Sequence, residues 1–365
     1  MKHAAFALAL ILTASPVYAQ LGGIGRRITQ AKDAKDAYDV LKMSEADERQ
    51  LGEQVSALVR KEFGVLQDAA VTKYVTLVGT VMAQASTRPN LQWEFIVLDT
   101  DGVNAFAAPG GIVYITRGAL GLIKSEAELA GVLGHELAHV TKKHTINSIK
   151  KNKGFKVTSD MAPGSTALFS ALANAAYDNI VEKGFDRGDE EDADQEGLRL
   201  ANKASYAPNG LATFLGKLAE RNKTTPTRNG LFASHPETQG RIEKLSNQVK
   251  SEKLAAAALV QPRYASNIKF EAKPLTEVAT VVAGTRGVAG EEKKEEKPEE
   301  EKKKKGFLGG LKLSGGKQQE STQASASAGG RAVGTDRHAK GGENPSKLTV
   351  KVTPAELEEF RKGIA

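Results

Sequence analysis

Val132-Leu133-Gly134-His135-Glu136-Leu137-Ala138-His139-Val140 is the stretch that decides how this chain is read. Residues four apart lie one turn apart on the same helix face. His135 and His139 can therefore aim imidazole nitrogens at one ion. Glu136 sits about 100° round the helix, near enough to meet a water at that ion without binding the ion itself. His-Glu-x-x-His on a helix is the spacing of a zinc site with an adjacent general base. The flanking positions are apolar or small and contain no proline, so the helix is expected to lie against a core. A pair of solvated surface histidines is the plain alternative. It fits poorly, because imidazoles sunk in an apolar face need partners. Upstream, Ser125 and Glu128 have the form of a capping box and mark the helix start.

Before this helix the period changes. Trp93, Phe95 and Val97 alternate with Gln92 and Glu94, which reads as a strand. Residues 99–102 (Asp-Thr-Asp-Gly) are turn chemistry. A second strand is expected over 103–108 and a third over 112–116, separated by Pro109-Gly110-Gly111. The expectation is a small antiparallel meander leading into the helix. An edge strand beside a peptidase metal holds substrate by strand addition, so Asn104, Ala105, Phe106 and Ala107 are the candidate substrate-binding residues, with Ala108 closing the strand. An ordinary structural strand is the alternative. Further upstream, Ser44 with Asp47 caps a helix carrying Leu51, Val55, Leu58 and Val59 at helical spacing. A second helix over 70–85 presents Val71, Tyr74, Val75, Val78 and Met82 on one face, as core.

Two histidines leave a catalytic zinc site one protein ligand short. Of the other histidines, His144 lies five residues past His139, about 140° round a continuing helix. It should point elsewhere, in a surface or supporting role. His235 or a carboxylate remains. The acidic run 186–194 opens a further helix reaching to about 204. The helix dipole explains several of these carboxylates. Glu190 and Asp194, four apart, share a face, so that one could bind the ion while the other supports a ligand histidine. Two more helices are expected, from Pro208 (Leu211, Phe214, Leu215, Leu218) and from Pro236 (Ile242, Leu245, Val249), joined by a polar loop at 224–230.

The ends of the chain are different in kind. Residues 1–19 have a basic start, an apolar run and small residues before a break, the pattern of a secretory signal peptide cleaved near Ala19. No cysteine occurs in the 365 residues, which excludes lipobox anchoring and any disulfide framework. No later run reaches the ~18 apolar residues of a spanning helix. The expected compartment is the periplasm or the medium. A net charge of +7 suggests weak attraction to anionic membrane or cell-wall surfaces. Nucleic acid is not expected as a partner, since basic and aromatic residues do not interleave. The domain reading is a linker over 20–43, a metallopeptidase domain over 44–253 and an extension over 254–290 with β-like pieces at 267–270 and 278–282. A charged, Gly/Ser-rich linker over 291–345 is expected to be disordered. Residues 346–365 then form a short strand (348–352) and a helix capped by Thr353-Pro354, with Leu357 and Phe360 as its apolar contacts. No 34-residue period is present.

Asn104-Ala-Phe-Ala-Ala-Pro-Gly-Gly, the 128–140 run, Arg187-x-x-Glu190-x-x-Ala193-Asp194, Ser234-His235-Pro236 and Arg241-Ile242 occur in one order over about 44–250. Together they resemble family forty-eight of the metallopeptidases, the gluzincin family of HtpX, CAAX prenyl endopeptidase and BepA-like proteins. The similarity is to its soluble secreted branch without tetratricopeptide repeats. The resemblance implies a mostly helical α+β zincin-type domain with a small antiparallel sheet. It implies one Zn2+ per chain held by His135, His139 and Glu190, Glu136 as catalytic base and Asp194 behind the ligands. His235 matches an active-site histidine of the family, whose role stays open between stabilising the oxyanion, binding zinc and capping a helix. The expected activity is zinc-dependent endopeptidase cleavage of envelope or misfolded proteins. The alternative is an envelope assembly or quality-control factor with a plugged metal site.

Overall fold

One helix lies at the centre and the other elements cover it. The computed structural model describes residues 43–152, 155, 165–223, 238–281 and 335–364. The expected signal peptide, residues 20–42 of the expected linker, the 224–230 loop, His235 and residues 291–334 lie outside the described residues. In chain order the helices are α1 (Glu45–Phe63), α2 (Ala69–Ala85), α3 (Arg117–Leu122), α4 (Glu126–Thr141), α5 (His144–Lys151), α6 (Thr166–Tyr177), α7 (Arg187–Lys203), α8 (Gly210–Arg221), α9 (Thr238–Ser251), α10 (Gln261–Asn267) and α11 (Pro354–Lys362). Three strands, β1 (Glu94–Leu98), β2 (Ala105–Ala108) and β3 (Ile112–Thr116), stand between α2 and α3. The fold is mostly helical α+β, as expected.

Local chemistry sets the helix starts. Ser44 and Asp47 form a reciprocal capping box on α1. Asp68 caps α2 by accepting from Ala70 and Val71. Ser125 caps α4 by accepting from the Glu128 amide. The Glu128 carboxylate accepts from the Lys124 amide, beyond the cap, and pairs with Lys217 of α8. The box is therefore half formed, and its glutamate also holds a neighbouring helix.

The sheet corrects the expected meander. Its order is β1-β3-β2, with β1 parallel to β3 and β2 antiparallel to it. Residues 99–104 carry the chain across the end of β3 rather than back along β1. The Thr116 hydroxyl donates to the Gly102 carbonyl (2.5 Å) and accepts from the Asn104 amide (3.0 Å), fixing that crossing. The tight reversal is at Gly110 and Gly111, with φ of 75° and 91°, a region that glycine enters without steric cost. β2 and β3 pair directly across this reversal.

Both faces of the sheet are covered. Phe95, Val97, Ala105, Ala107, Val113 and Ile115 join a core with α2, α4, α7 and α8. The alternate residues Ile96, Leu98, Phe106, Ala108, Ile112 and Tyr114 join a second core with α1 and α6. Each fully buried Leu or Phe here contributes about 1.5–3 kcal/mol. Every residue of α4 from Glu126 to Val140 is buried, because α2, α7, α8 and β2 all pack against it. The approach of α7 is closest at two glycines. A Cβ on Gly197 would lie 2.7 Å from the His135 amide nitrogen, and one on Gly134 would lie 3.0 Å from the Gly197 carbonyl oxygen.

The C-terminal part also departs from expectation. Residues 335–345, inside the expected disordered linker, are among the described residues and dock on the body. Asp336 is buried and paired with Arg221 of α8 at 2.7 Å. Ala339 bridges Thr280, and Gly341 bridges Thr100. The β-like piece at 278–282 thus meets the tail by a single bridge instead of joining a sheet, and Asn267 closes α10 instead of starting a strand. Residues 348–352 form no strand; Leu348 and Val352 are half-buried against the two cores. α11 starts at a Thr353–Glu356 capping box and seats Leu357 in the main core. None of the described helices is long and apolar enough to cross a membrane.

Candidate metal centre

α4 and α7 together build the site. The approach at Gly134 and Gly197 sets α7 close enough for its first turns to face the histidines. His135 Nε2 and His139 Nε2 stand 3.0 Å apart. Glu190 Oε2 lies 3.6 Å from the first, and Glu190 Oε1 lies 3.6 Å from the second. One donor atom from each residue falls within 4.8 Å of the others, and all three residues are buried. A tetrahedral ion with bonds of 2.0–2.1 Å requires its ligand atoms to be about 3.3 Å apart. The separations bracket that value, and two imidazoles with one carboxylate are the donor chemistry of an open zinc site. These residues form a group able to hold a metal ion.

Asp194, one turn past Glu190, lies behind His135, its Oδ1 2.9 Å from His135 Nδ1. That contact leaves His135 Nε2 for the shared point. Arg241 of α9 closes the back. It donates to Asp194 at 2.7 Å from Nε and 2.6 Å from Nη2, and its Nη1 is 3.2 Å from Glu190. Burial alone would raise the Asp194 pKa, but Arg241 and His135 hold it well below the ordinary carboxylate value. Burial lowers His135 against the pull of Asp194 and favours the neutral imidazole that a metal needs. Burial pushes Glu190 up to about 7, with Arg241 and His135 opposing. Glu136 is raised well above its usual value, first by burial and then by the Glu190 charge.

His139 is held differently. Phe185, just after a π-helical turn at Asp178–Lys183, stacks on its ring with centroids 4.0 Å apart and planes 18° apart. His144 Nδ1 lies 2.9 Å from His139 Nδ1. Of the two roles the sequence left for His144, the surface one is overturned, since His144 is buried. The helix did not continue as the 140° argument assumed. Lys143 is left-handed (φ 56°, ψ 35°) and starts α5 in a new direction.

The structure thus brings together His135, Glu136, His139, Glu190 and Asp194. Asn104, Ala105, Phe106 and Ala107 lie at or just before β2, an edge strand packed along α4. Sequence reasoning assigned no role to Arg241 or Phe185. Arg241 was visible as part of the Arg241-Ile242 piece of the family resemblance, but nothing in its spacing tied it to Asp194 or Glu190. Phe185 carried no spacing signal, because its partner is 46 residues away in the chain (185 − 139 = 46).

Residues 69–249 match the model of peptidase family M48. This stretch is a family M48 domain. Relatives agree. The chain is 24% identical over 219 residues to a beta-barrel assembly-enhancing protease of Yersinia pestis, covering 56% of this chain and 44% of the relative. It is 23% identical over 219 residues to the protein of that name in Escherichia coli K12, with the same coverage of 56% and 44%. It is 30% identical over 186 residues to the mitochondrial metalloendopeptidase OMA1 of Schizosaccharomyces pombe, covering 50% of this chain and 55% of the relative. The chain therefore spans about half the length of these curated relatives. The M48 match runs from α2 to α9, so it includes every residue of the candidate centre and excludes the C-terminal segment.

Proposed function

We propose that this chain is a zinc-dependent endopeptidase. The observation that carries the reading is the convergence of His135, His139 and Glu190 at separations that suit one tetrahedral ion, with Glu136 next to His135 on the same helix. His135, His139 and Glu190 would hold one zinc. When bound, zinc supplies Lewis acidity, polarising a peptide carbonyl and making a water acidic near neutral pH. Glu136 accepts the proton of the attacking water and delivers it to the leaving amine. Asp194, fixed by Arg241, keeps His135 in its ligand orientation. The buried setting strengthens each of these interactions over its value in water.

The substrate is a protein or peptide main chain. β2 is at the edge of the sheet beside α4, and Asn104 Nδ2 is buried with no hydrogen-bond partner among the described residues. Both observations support Asn104–Ala107 as the strand that receives it. A cleft lined by Arg187, Glu190, Glu191, Asp194, Arg241 and Lys244 lies between α7 and α9 and offers room for polar side chains. The likeness to assembly-enhancing proteases and the leading segment both favour envelope or misfolded proteins as substrates, met outside the cytoplasm. The deciding test is metal content and proteolysis of the purified chain against Glu136→Gln. The variant should keep about one zinc and lose cleavage of a denatured protein; a Gln variant as active as wild type removes the assignment.

A further inference from the structure

The two candidate ligand histidines are oriented by different chemistry, and the difference assigns a residue. His135 is backed by a carboxylate, Asp194. His139 has another imidazole behind it. If His139 meets the ion through Nε2, as its position facing His135 and Glu190 requires, its neutral ring carries the proton on Nδ1. That Nδ1–H can only donate. His144 Nδ1, 2.9 Å away, must then be the acceptor, with a lone pair and no proton. A neutral His144 therefore carries its proton on Nε2. That atom faces acidic groups of α7, with Asp192 Oδ2 at 3.4 Å and Asp189 Oδ1 at 3.9 Å. Each proton in the sequence His139, His144, α7 carboxylates has a place, and no like poles face each other.

The backbone is arranged for this contact. Lys143 occupies the left-handed region, which is unfavourable for a residue with a Cβ. It is pinned there by an ion pair with Glu48, a buried carboxylate of α1 that also binds Arg88 at 2.9 Å. The turn folds His144 back against the ring it would otherwise leave behind, with centroids 5.0 Å apart and planes at 75°. Phe185 sets the plane of the His139 ring. A flat stacking surface does not select which nitrogen faces the ion; an acceptor at Nδ1 does.

We propose that His144 is a positioning residue for His139: it accepts the Nδ1 proton at its own Nδ1 and holds Nε2 on the metal. The inference rests on the zinc reading above. It makes α7 the source of one ligand, Glu190, and of acidic support behind both histidines.

The test uses the full chain and zinc alone, with affinity measured by chelator competition. His144→Phe keeps a ring but has no acceptor, and should weaken zinc binding roughly 10- to 100-fold. His144→Asn places an amide oxygen near the Nδ1 position and should restore most of the affinity. Melting of the metal-free proteins separates this from a structural role, which would lower stability in both variants and leave affinity untouched. A Phe variant that binds zinc as wild type does overturns the proposal while leaving the zinc site standing. A wild-type chain that binds no zinc overturns both. Independently of any variant, long-range 1H–15N spectra of zinc-loaded, 15N-histidine-labelled protein should show His144 as the neutral Nε2–H tautomer. The Nδ1–H tautomer or an imidazolium there overturns the assignment.

Discussion

Helix α4 carries two buried polar clusters, and they have opposite characters. At its first turn Glu126 is buried, yet both carboxylate oxygens are engaged. Tyr74 and Tyr206 donate to them at 2.8 and 3.1 Å, and Arg263 donates twice at 2.5 and 2.7 Å. Arg263 is held in turn by the Phe360 carbonyl and sits 3.9 Å over its ring. Donors meet acceptors and the charge is balanced, so the cluster ties α2, α4, α10 and α11 together and is complete. About two turns on, His135, His139 and Glu190 turn acceptor atoms toward one another. With both rings protonated at Nδ1, the lone pairs 3.0 and 3.6 Å apart repel until a cation lies between them. A buried charge alone therefore does not mark a functional site; the direction in which the acceptors point does.

The largest effect expected from this contrast is on turnover. Glu136→Gln should lower cleavage by about 100- to 10,000-fold with zinc retained, whereas Glu126→Gln should leave the activity of the folded fraction near wild type. Comparable loss in both variants, measured on metal-loaded protein, would erase the distinction. Stability should respond in the reverse way. Glu126→Ala leaves Arg263 and two buried hydroxyls without their acceptor, and should cost about 3–5 kcal/mol in urea unfolding, with zinc affinity unchanged in the folded protein.

Next come changes that touch the ligands only through a neighbour. Asp194→Asn should weaken zinc about 10- to 100-fold in a chelator competition while the fold persists, because the amide cannot balance Arg241 as the carboxylate does. Gly197→Ala inserts a methyl 2.7 Å from the His135 amide nitrogen, so α7 must move away. Zinc affinity and thermal stability should fall together, and a variant that loses neither would show that the glycine contact does not set the distance to Glu190.

The smallest effect is on the C-terminal segment. The hydrogen bond from Lys73, helped by Thr353, lowers the Glu356 pKa from 4.5 to about 2. A carboxylate lowered on folding stabilises the folded form above its unfolded pKa, and loses that contribution as pH falls through its folded value. Docking of α11 should therefore be complete above pH 4.5 and weaken as pH falls towards about 2. Hydrogen exchange along 353–362, compared with Lys73→Met, measures it. The Met variant should show a smaller change in protection with pH, since the Thr353 bonds to Glu356 remain, without change at the metal centre.

Much of this was legible before any tertiary contact was known. Residues three or four apart on one helix are placed by the helix itself. The His135–His139 pair, the shared face of Glu190 and Asp194, and the Ser44 and Thr353 caps could all be read from spacing. The order of the strands could not, because nothing within residues 99–102 reveals that Thr116 will hold them across the end of β3. His144 was misplaced for a related reason. The left-handed turn at Lys143 breaks the helical count and is stabilised by Glu48, 95 residues earlier. Short-range spacing could determine which side chains share a face of one helix. Only packing between helices, through the Gly134–Gly197 approach and the Arg241 bridge, decided how far apart those faces stand, and that distance determines whether three side chains can share one ion.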